Sequence, residues 1–217
     1  MDLSNSVSLL SMAMKGGWLM LVLLIISIIS IAIIIERMLK IKRATSSDNQ
    51  LFKEVSELLK ANQTTEALNL CNNAPNNPLN VILAKGVEAF SVSIDEVEKV
   101  IASTAKNELH KLEKNLGTLA SFSAIGPLIG FLGTVTGMVK VFMKIEQMGG
   151  GVDISFLAQG IWEAMLTTVG GRIVGIITIL FYNYLVGKLE AYANELEENA
   201  NQFMLDIRRE NNGTQSK

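Results

Sequence analysis

The chain has 217 residues, of which 49% are hydrophobic and 18% charged, whereas an average soluble domain is about 25% charged. Nineteen basic side chains against twenty-one acidic ones leave no basic excess for DNA or RNA, so nucleic acid is excluded as a partner. One cysteine and one histidine are too few ligands for a zinc or haem site. The composition predicts an all-α integral membrane protein with no metal and no cofactor.

The first apolar segment, residues 18–36, opens with eighteen residues that carry no charge, WLMLVLLIISIISIAIII. As a helix this run is about 27 Å long, close to the thickness of a bilayer core. A cleaved signal peptide is the competing interpretation. It is disfavoured because only Lys15 precedes the run and Glu36-Arg37 stands where small residues would be needed. The segment is therefore predicted to be transmembrane helix 1.

Basic residues indicate the orientation of this first span. Four follow it between positions 37 and 43, whereas residues 1–17 contain one. The positive-inside rule then predicts that residues 1–17 are a periplasmic N-terminal segment and that residues 37–114 are cytoplasmic.

The cytoplasmic segment 37–114 has the pattern of several helices. Helix starts are predicted at Ser47 or Asp48, at Thr64 or Thr65, and at Pro78, and a capping box is predicted at Ser93 and Glu96. From Asp95 onward no breaker occurs before Gly117. The pattern therefore predicts one long helix that continues from the cytoplasm into the membrane.

Two further apolar segments predict transmembrane helix 2 at residues 115–143 and transmembrane helix 3 at residues 156–187. The short stretch between them, 144–155, is predicted to be a periplasmic loop. Three spans return the chain to the cytoplasm, so residues 188–217 are predicted to form a cytoplasmic C-terminal helix and tail, disordered from Asn211. Helices 2 and 3 exceed the length that a bilayer requires and are expected to extend into the cytoplasm.

Transmembrane helix 2 carries glycines at offsets of 0, 4, 7 and 11 residues, which lie within about 60° of arc on a helix. These are Gly126, Gly130, Gly133 and Gly137. We call them the glycine stripe. Such a stripe predicts close helix packing. Because threonines 134 and 136 border it, a narrow polar passage for protons or water is the alternative function.

Transmembrane helix 3 contains a carboxylate, Glu163, whose insertion costs at least about 2.5 kcal/mol and therefore indicates a buried, paired or water-lined role. Thr167, Gly170, Gly171 and Thr178 lie within about 80° of it on the helix. A carboxylate, hydroxyls and close-packing glycines thus share one face. The alternative is that Glu163 lies among headgroups at the outer boundary.

Arg172 follows Glu163 by nine residues, which places it on the opposite side of the helix and about 13 Å along the axis. It cannot pair with Glu163 in its own helix. An interhelix contact, a contact at a subunit interface and snorkelling to headgroups all remain open. Elsewhere, His110 has no second ligand beside it and Cys71 has no base, so no catalytic site is predicted and the protein is not expected to be an enzyme.

The segments GPLIGFLGTVTGM in span 2 and GIWEAMLTTVGG in span 3, followed by the triplet FYN, resemble the TolQ/ExbB/MotA proton-channel family. The three-span layout is most similar to the ExbB/TolQ branch. The resemblance implies a proton-channel, or stator, subunit of a motor in the bacterial inner membrane. It also implies a pentamer around two ExbD/TolR-like single-span partners, which drives a TonB-like or TolA-like protein across the periplasm.

The resemblance also implies a proton pathway along Thr134, Glu163 and Thr168, with the proton-carrying carboxylate on the partner. The helical wheel favours Thr167 over Thr168, so both remain candidates. The chain departs from the family where Ile177 replaces a common proline, which predicts a straighter third helix. It departs again where Arg172 occupies a usually apolar position. A non-conducting membrane scaffold and a sodium-driven homologue are the alternative functions.

Overall fold

The computed structural model describes residues 17–45, 49–61, 63–74, 77–90, 94–149 and 153–214. Within these ranges it contains helices and no strand. The helices are α1 Gly17–Thr45, α2 Asn49–Lys60, α3 Thr64–Asn73, α4 Pro78–Phe90, α5 Ile94–Glu113, α6 Leu116–Gln147 and α7 Ile154–Thr214. Three helical segments are long and apolar enough to cross a membrane. The predicted all-α fold with three membrane-spanning helices is therefore confirmed.

Two compact units make up the chain. The membrane unit comprises the residues up to Ile35 together with Asn115–Tyr184, and the helical unit comprises Glu36–Lys114 and the residues from Leu185 on. The apolar helices of the membrane unit expose many large hydrophobic side chains. This exposure is expected of helices that face lipid or other spanning helices.

In the helical unit, α4 packs against both α3 and α5, and α2 packs against α3. The predicted starts at Thr64 and Pro78 are confirmed, whereas Ser47, Asp48 and Ser93 lie outside the described residues. The rings of Phe52 and Phe203 meet edge to face with their centroids 5.9 Å apart. This aromatic contact joins α2 to the C-terminal part of α7 within the unit.

Arg37 is one of the basic residues that indicate the orientation of the first span, and in the structure its side chain is buried in this unit. It is only 1% exposed. Its Nη1 donates a hydrogen bond to the backbone carbonyl of Lys111, 3.1 Å away, and its Nη2 contacts the Glu36 carboxylate at 2.9 Å. Because Lys111 lies in the last turn of α5, the guanidinium satisfies a carbonyl that has no partner within the helix.

Two local predictions are wrong. The helix expected to run unbroken from Asp95 into the membrane is interrupted at Lys114 and Asn115, where Asn115 has φ 66°. Asparagine enters this left-handed region more readily than most residues, so it separates α5 from α6 without a glycine or proline. The tail expected to be disordered from Asn211 is helical through Thr214, and no proline within α7 interrupts the helix before that point. The predicted periplasmic residues 1–16 and the last three residues lie outside the described chain.

The two long membrane helices differ in regularity. Pro127 lies inside α6, whereas α7 is a single helix of 61 residues that passes through Ile177 without interruption. Because Ile177 retains the backbone N–H that a proline would lack, the helical hydrogen-bond ladder of α7 can continue at this point.

Candidate functional site

The helices α6 and α7 approach each other closely at Gly130. A Cβ added there would be 2.8 Å from the carbonyl oxygen of Thr167 and 3.2 Å from the Cα of Gly171. A Cβ added at Gly171 would in turn lie 2.9 Å from the Cα of Gly130. The two backbones are therefore in direct contact, which small residues permit in membrane helices.

The rest of the glycine stripe follows the same line of contact. Gly126 faces the backbone of Gly171 and Gly175, Gly133 faces Thr167, and Gly137 faces Ala164. All four stripe residues thus face α7 across short distances. Gly170 is different, because the nearest atoms to its Cβ position belong to Met20 of α1, at 3.1 Å. Gly170 consequently lies in the contact with the first span.

Three threonine hydroxyls converge on the carbonyl oxygen of Gly130. Thr168 donates to it at 3.0 Å, Thr167 at 3.2 Å and Thr134, from one turn further along α6, at 3.4 Å. The hydroxyls of Thr134 and Thr168 also bond to each other. Because a hydroxyl both donates and accepts, this group forms a continuous hydrogen-bonded path between the two helices.

The carbonyl of Ala164 is the second acceptor in this group. It accepts from the Thr134 hydroxyl at 3.1 Å and from the Thr167 hydroxyl at 2.8 Å. Every threonine hydroxyl of the group therefore has an alternative backbone acceptor or a neighbouring hydroxyl. We call Thr134, Thr167 and Thr168, with the carbonyls of Gly130 and Ala164, the hydroxyl cluster.

A cavity of about 130 Å³ lies in the membrane unit beside the hydroxyl cluster. Its lining contains Glu163 and Thr167 from α7, Thr136 and Lys140 from α6, and the start of α1 at Trp18. The lining thus combines a carboxylate, an ammonium group and hydroxyls. A cavity of this size with several polar partners has room for water.

Glu163 is half-buried in this lining. Its Oε1 accepts a hydrogen bond from the Nε2 of Gln159, one helical turn earlier, at 3.2 Å. Gln159 and Lys140 are polar neighbours that were not predicted as site residues. The spacing of four residues between Gln159 and Glu163 is a signal that could have identified the first of them.

The structure separates the two threonines between which the sequence could not decide. Thr167 is 2% exposed and lines the cavity together with Glu163. Thr168 is half-buried and bonds to Thr134 instead. The helical wheel and the family resemblance therefore identify different members of the same hydroxyl cluster.

The remaining candidates are not members of the hydroxyl cluster and do not line the cavity. The side chain of Arg172 is exposed and makes no hydrogen bond or ion pair with the described residues. His110 is exposed on α5, 3.6 Å from the Glu113 carboxylate. Cys71 is buried in the helical unit, and desolvation raises the pKa of its thiol to about 11. Within the described ranges no three His, Cys, Asp or Glu side chains could together hold a metal ion.

Residues 74–198, more than half of the chain, match the MotA/TolQ/ExbB proton channel family. The chain belongs to this family. The match covers the glycine stripe, the hydroxyl cluster and Glu163, so the residues that approach most closely in the membrane unit lie in the part that defines the family.

Relatives of the ExbB branch are similar over most of their length. A putative biopolymer transport protein ExbB-like 1 from Synechocystis sp. is 27% identical over 85% of this chain and 73% of its own. A putative biopolymer transport protein ExbB homolog from Methanothermobacter thermautotrophicus is 25% identical over 88% of this chain and 67% of its own. The biopolymer transport protein ExbB of Neisseria meningitidis is 24% identical over 75% of this chain and 78% of its own.

Family membership and the three apolar helices together make this chain a membrane subunit of the ExbB type, and a multi-pass inner-membrane protein. The family is one of membrane channels and transport proteins and is not a known enzyme family.

Proposed function

We propose that this chain is the proton-channel subunit of an inner-membrane motor. Five copies surround the spanning helices of two ExbD/TolR-like partner chains. Proton flow through this assembly does mechanical work on a TonB-like or TolA-like protein that crosses the periplasm, in transport or in maintenance of the cell envelope.

The observation that carries the proposal is the hydroxyl cluster beside the Glu163 cavity. Thr134 and Thr168 bond across two apolar helices, and Glu163 and Lys140 line the neighbouring cavity. Polar groups are costly inside an apolar span and are usually retained there for ion or proton pathways. Hydroxyls and water that both donate and accept are suited to passing a proton along.

In the proposed mechanism the partner's carboxylate carries the proton, and this chain provides its surroundings. Glu163 keeps the cavity hydrated and attracts cations, while Thr134 and Thr168 line the route toward the carboxylate. A proton that falls through about 100 mV releases about 2.3 kcal/mol, so several protons are needed for one step of mechanical work on a protein interface.

The proposed topology has a periplasmic N-terminus and a cytoplasmic C-terminus, with the helical unit in the cytoplasm. The basic residues between positions 37 and 43 support this orientation by the positive-inside rule. Reporter fusions after residue 217 and within 144–155 should report opposite sides of the membrane. Fusions reporting the same side for both would refute the three-span arrangement.

Proton flux in vesicles tests the channel directly. The chain and its ExbD/TolR-like partner are reconstituted together with a pH-sensitive dye inside, and flux is driven by a potassium diffusion potential. Glu163→Gln and Thr134→Val should each reduce partner-dependent flux at least tenfold. Thr134→Ser retains the hydroxyl and should keep most of the flux, and His110→Ala, on an exposed part of α5, should leave it unchanged.

The alternatives are outcomes of the same measurement. Correct assembly without partner-dependent flux at any voltage would mean that the glycine contacts serve a non-conducting scaffold. Flux that follows a sodium gradient and not a proton gradient would mean a sodium-driven homologue. The mechanical work is tested in cells that lack their own ExbB and TolQ. The native chain should restore uptake or envelope integrity there, whereas Glu163→Gln should assemble without restoring either.

A further inference from the structure

A single charged side chain interrupts an exposed apolar face of α7. This face contains Met165, Val169 and Ile176, which lie within about 60° of Arg172 on the helix and are 57%, 51% and 58% exposed. Arg172 lies among them, exposed and without an ion pair or hydrogen bond to any described residue. A guanidinium in apolar surroundings requires a counter-charge. The depth of Arg172 in the membrane and the length of its side chain limit which groups can provide this charge.

The depth of Arg172 follows from the exposed apolar side chains on either side of it. Large exposed side chains occur in α7 from Ile154 to Tyr184, and the part of this range from Trp162, at 59% exposure, to Leu180, at 63%, is about 27 Å long. Arg172 lies about 15 Å from Trp162 and about 12 Å from Leu180. It is therefore near the middle of a band that matches one bilayer core, and too deep for its side chain to reach headgroup phosphates by extension alone.

A second copy of this chain offers no suitable carboxylate. Copies in one membrane share one orientation, so Glu163 of a neighbouring copy lies about 13 Å from the depth of Arg172. Asp153 and Glu146, the other acidic residues of the described membrane unit, lie in or beside the loop between α6 and α7, further still from the middle of the span. The counter-charge must then come from a different polypeptide that crosses the membrane.

We propose that Arg172 binds a carboxylate carried at mid-membrane depth by a spanning helix of a different protein, which lies along the face of α7 formed by Met165, Val169 and Ile176. Charge complementarity selects this occupant, because an apolar lipid chain or a purely apolar helix would leave the guanidinium unpaired. The inference deepens the proposed function and rests on it for the existence of a single-span partner.

The neighbourhood of Arg172 gives this contact a role in proton transfer. Thr168 lies one turn away on the same side of α7, so a carboxylate bound to Arg172 is within about one helical turn of the hydroxyl cluster. The guanidinium favours the ionised carboxylate. A proton that arrives from the cluster neutralises the carboxylate and breaks the ion pair, so that each protonation releases the partner helix from α7.

Co-purification of the partner with variants of Arg172 tests the ion pair. Arg172→Leu should lower the amount of ExbD/TolR-like partner that co-purifies at least tenfold, and Arg172→Lys should retain most of it. Arg172→Glu combined with replacement of the partner's mid-membrane acid by Lys should restore binding that either change alone abolishes. Arg172→Leu with undiminished partner, or a reversed pair without recovery, would overturn the proposal.

A matched control moves the charge without removing it. Arg172→Val combined with Val169→Arg keeps the composition of the face but shifts the guanidinium by about 60° and 4.5 Å, and it should bind the partner as poorly as Arg172→Leu. If the shifted variant binds the partner as well as the native chain does, any nearby positive charge suffices for binding. That result would refute a specific ion pair between Arg172 and the partner's carboxylate.

Vesicle composition distinguishes a carboxylate from a lipid phosphate. The native chain alone and Arg172→Leu are compared in vesicles of phosphatidylcholine with and without phosphatidylglycerol. Stabilisation by phosphatidylglycerol that Arg172→Leu abolishes would assign the counter-charge to lipid and overturn the proposal; equal behaviour of the two proteins supports it. Partner-dependent proton flux separates the inference from the proposed function. If Arg172→Leu keeps full flux while Glu163→Gln loses flux, only the inference about Arg172 is refuted. If both variants keep full flux, the proposed function is refuted as well.

Discussion

Replacing Gly130 with alanine tests the contact between α6 and α7 most directly. The new Cβ would lie 2.8 Å from the carbonyl oxygen of Thr167 and 3.1 Å from the Cα of Thr168. Both atoms belong to the backbone of α7 and cannot rotate away. Ordinary contact begins near 3.4 Å, so the helices must separate locally by about 0.6 Å.

The free-energy change follows from this displacement. Overpacking costs about 1–3 kcal/mol. The hydrogen bonds from Thr167 and Thr168 to the Gly130 carbonyl are 3.2 and 3.0 Å long in the native chain, where together they stabilise the contact by about 1–2 kcal/mol. In the variant they would lengthen to about 3.6–3.8 Å, and most of this stabilisation would be lost. The higher helix propensity of alanine relative to glycine offsets up to about 1 kcal/mol of this loss. We expect Gly130→Ala to lower the free energy of unfolding by about 2–3 kcal/mol.

Unfolding in detergent micelles, followed by circular dichroism against denaturant, measures this change. Gly187→Ala and Gly117→Ala are matched controls, because no atom lies within 4 Å of either Cβ position. Each should leave stability unchanged or raise it by up to about 1 kcal/mol. If Gly130→Ala proves as stable as Gly187→Ala, the two backbones are not in contact and the reasoning fails.

Three further predictions concern residues outside the membrane contact. Burial raises the pKa of the Cys71 thiol to about 11, whereas it is near 8.5 in an unfolded chain. Between about pH 9 and 11 only the unfolded state loses this proton, so the free energy of unfolding falls as the pH rises. Denaturant titrations should show this fall in the native chain but not in Cys71→Ala. Asn115→Ala should cost about 1 kcal/mol because φ is 66° there, whereas thermal melts of Asn115→Gly should show no loss. Arg37→Met keeps most of the buried volume and should destabilise by about 1 kcal/mol less than Arg37→Ala, and equal melting temperatures would show that its packing is unimportant.

Local patterns predicted much of the fold because they act over a few residues. The start of α4 at Pro78 follows from a ring that fixes the backbone for the first turn of a helix, and α3 begins at the predicted Thr64, directly after its N-cap residue Gln63. The common direction of Gly126, Gly130 and Gly133 follows from the rotation of 100° per residue. These rules require no knowledge of the neighbouring helix.

Contacts between distant residues could not be predicted in this way. Arg37 is buried because it meets the carbonyl of Lys111, 74 positions away, and no local pattern encodes that meeting. Asn115 interrupts the helix because its backbone enters a left-handed conformation that glycine more often occupies. The helical wheel could not choose between Thr167 and Thr168, since a wheel describes one helix and both hydroxyls reach the carbonyl of Gly130 on another.

The carbonyl oxygen of Gly130 has two lone pairs, and inside α6 one of them accepts the backbone N–H of Thr134. Three hydroxyls surround the remaining lone pair. At any instant at least two of the three threonines must therefore point their hydrogens elsewhere, toward Ala164 or toward another hydroxyl. Several arrangements of the same hydrogens therefore have similar energies and interconvert by rotation about single bonds, without movement of the backbone. The hydroxyl cluster thus has one arrangement of heavy atoms and several arrangements of protons, so the hydrogen bond between Thr134 and Thr168 can reverse its direction while the helices stay in place.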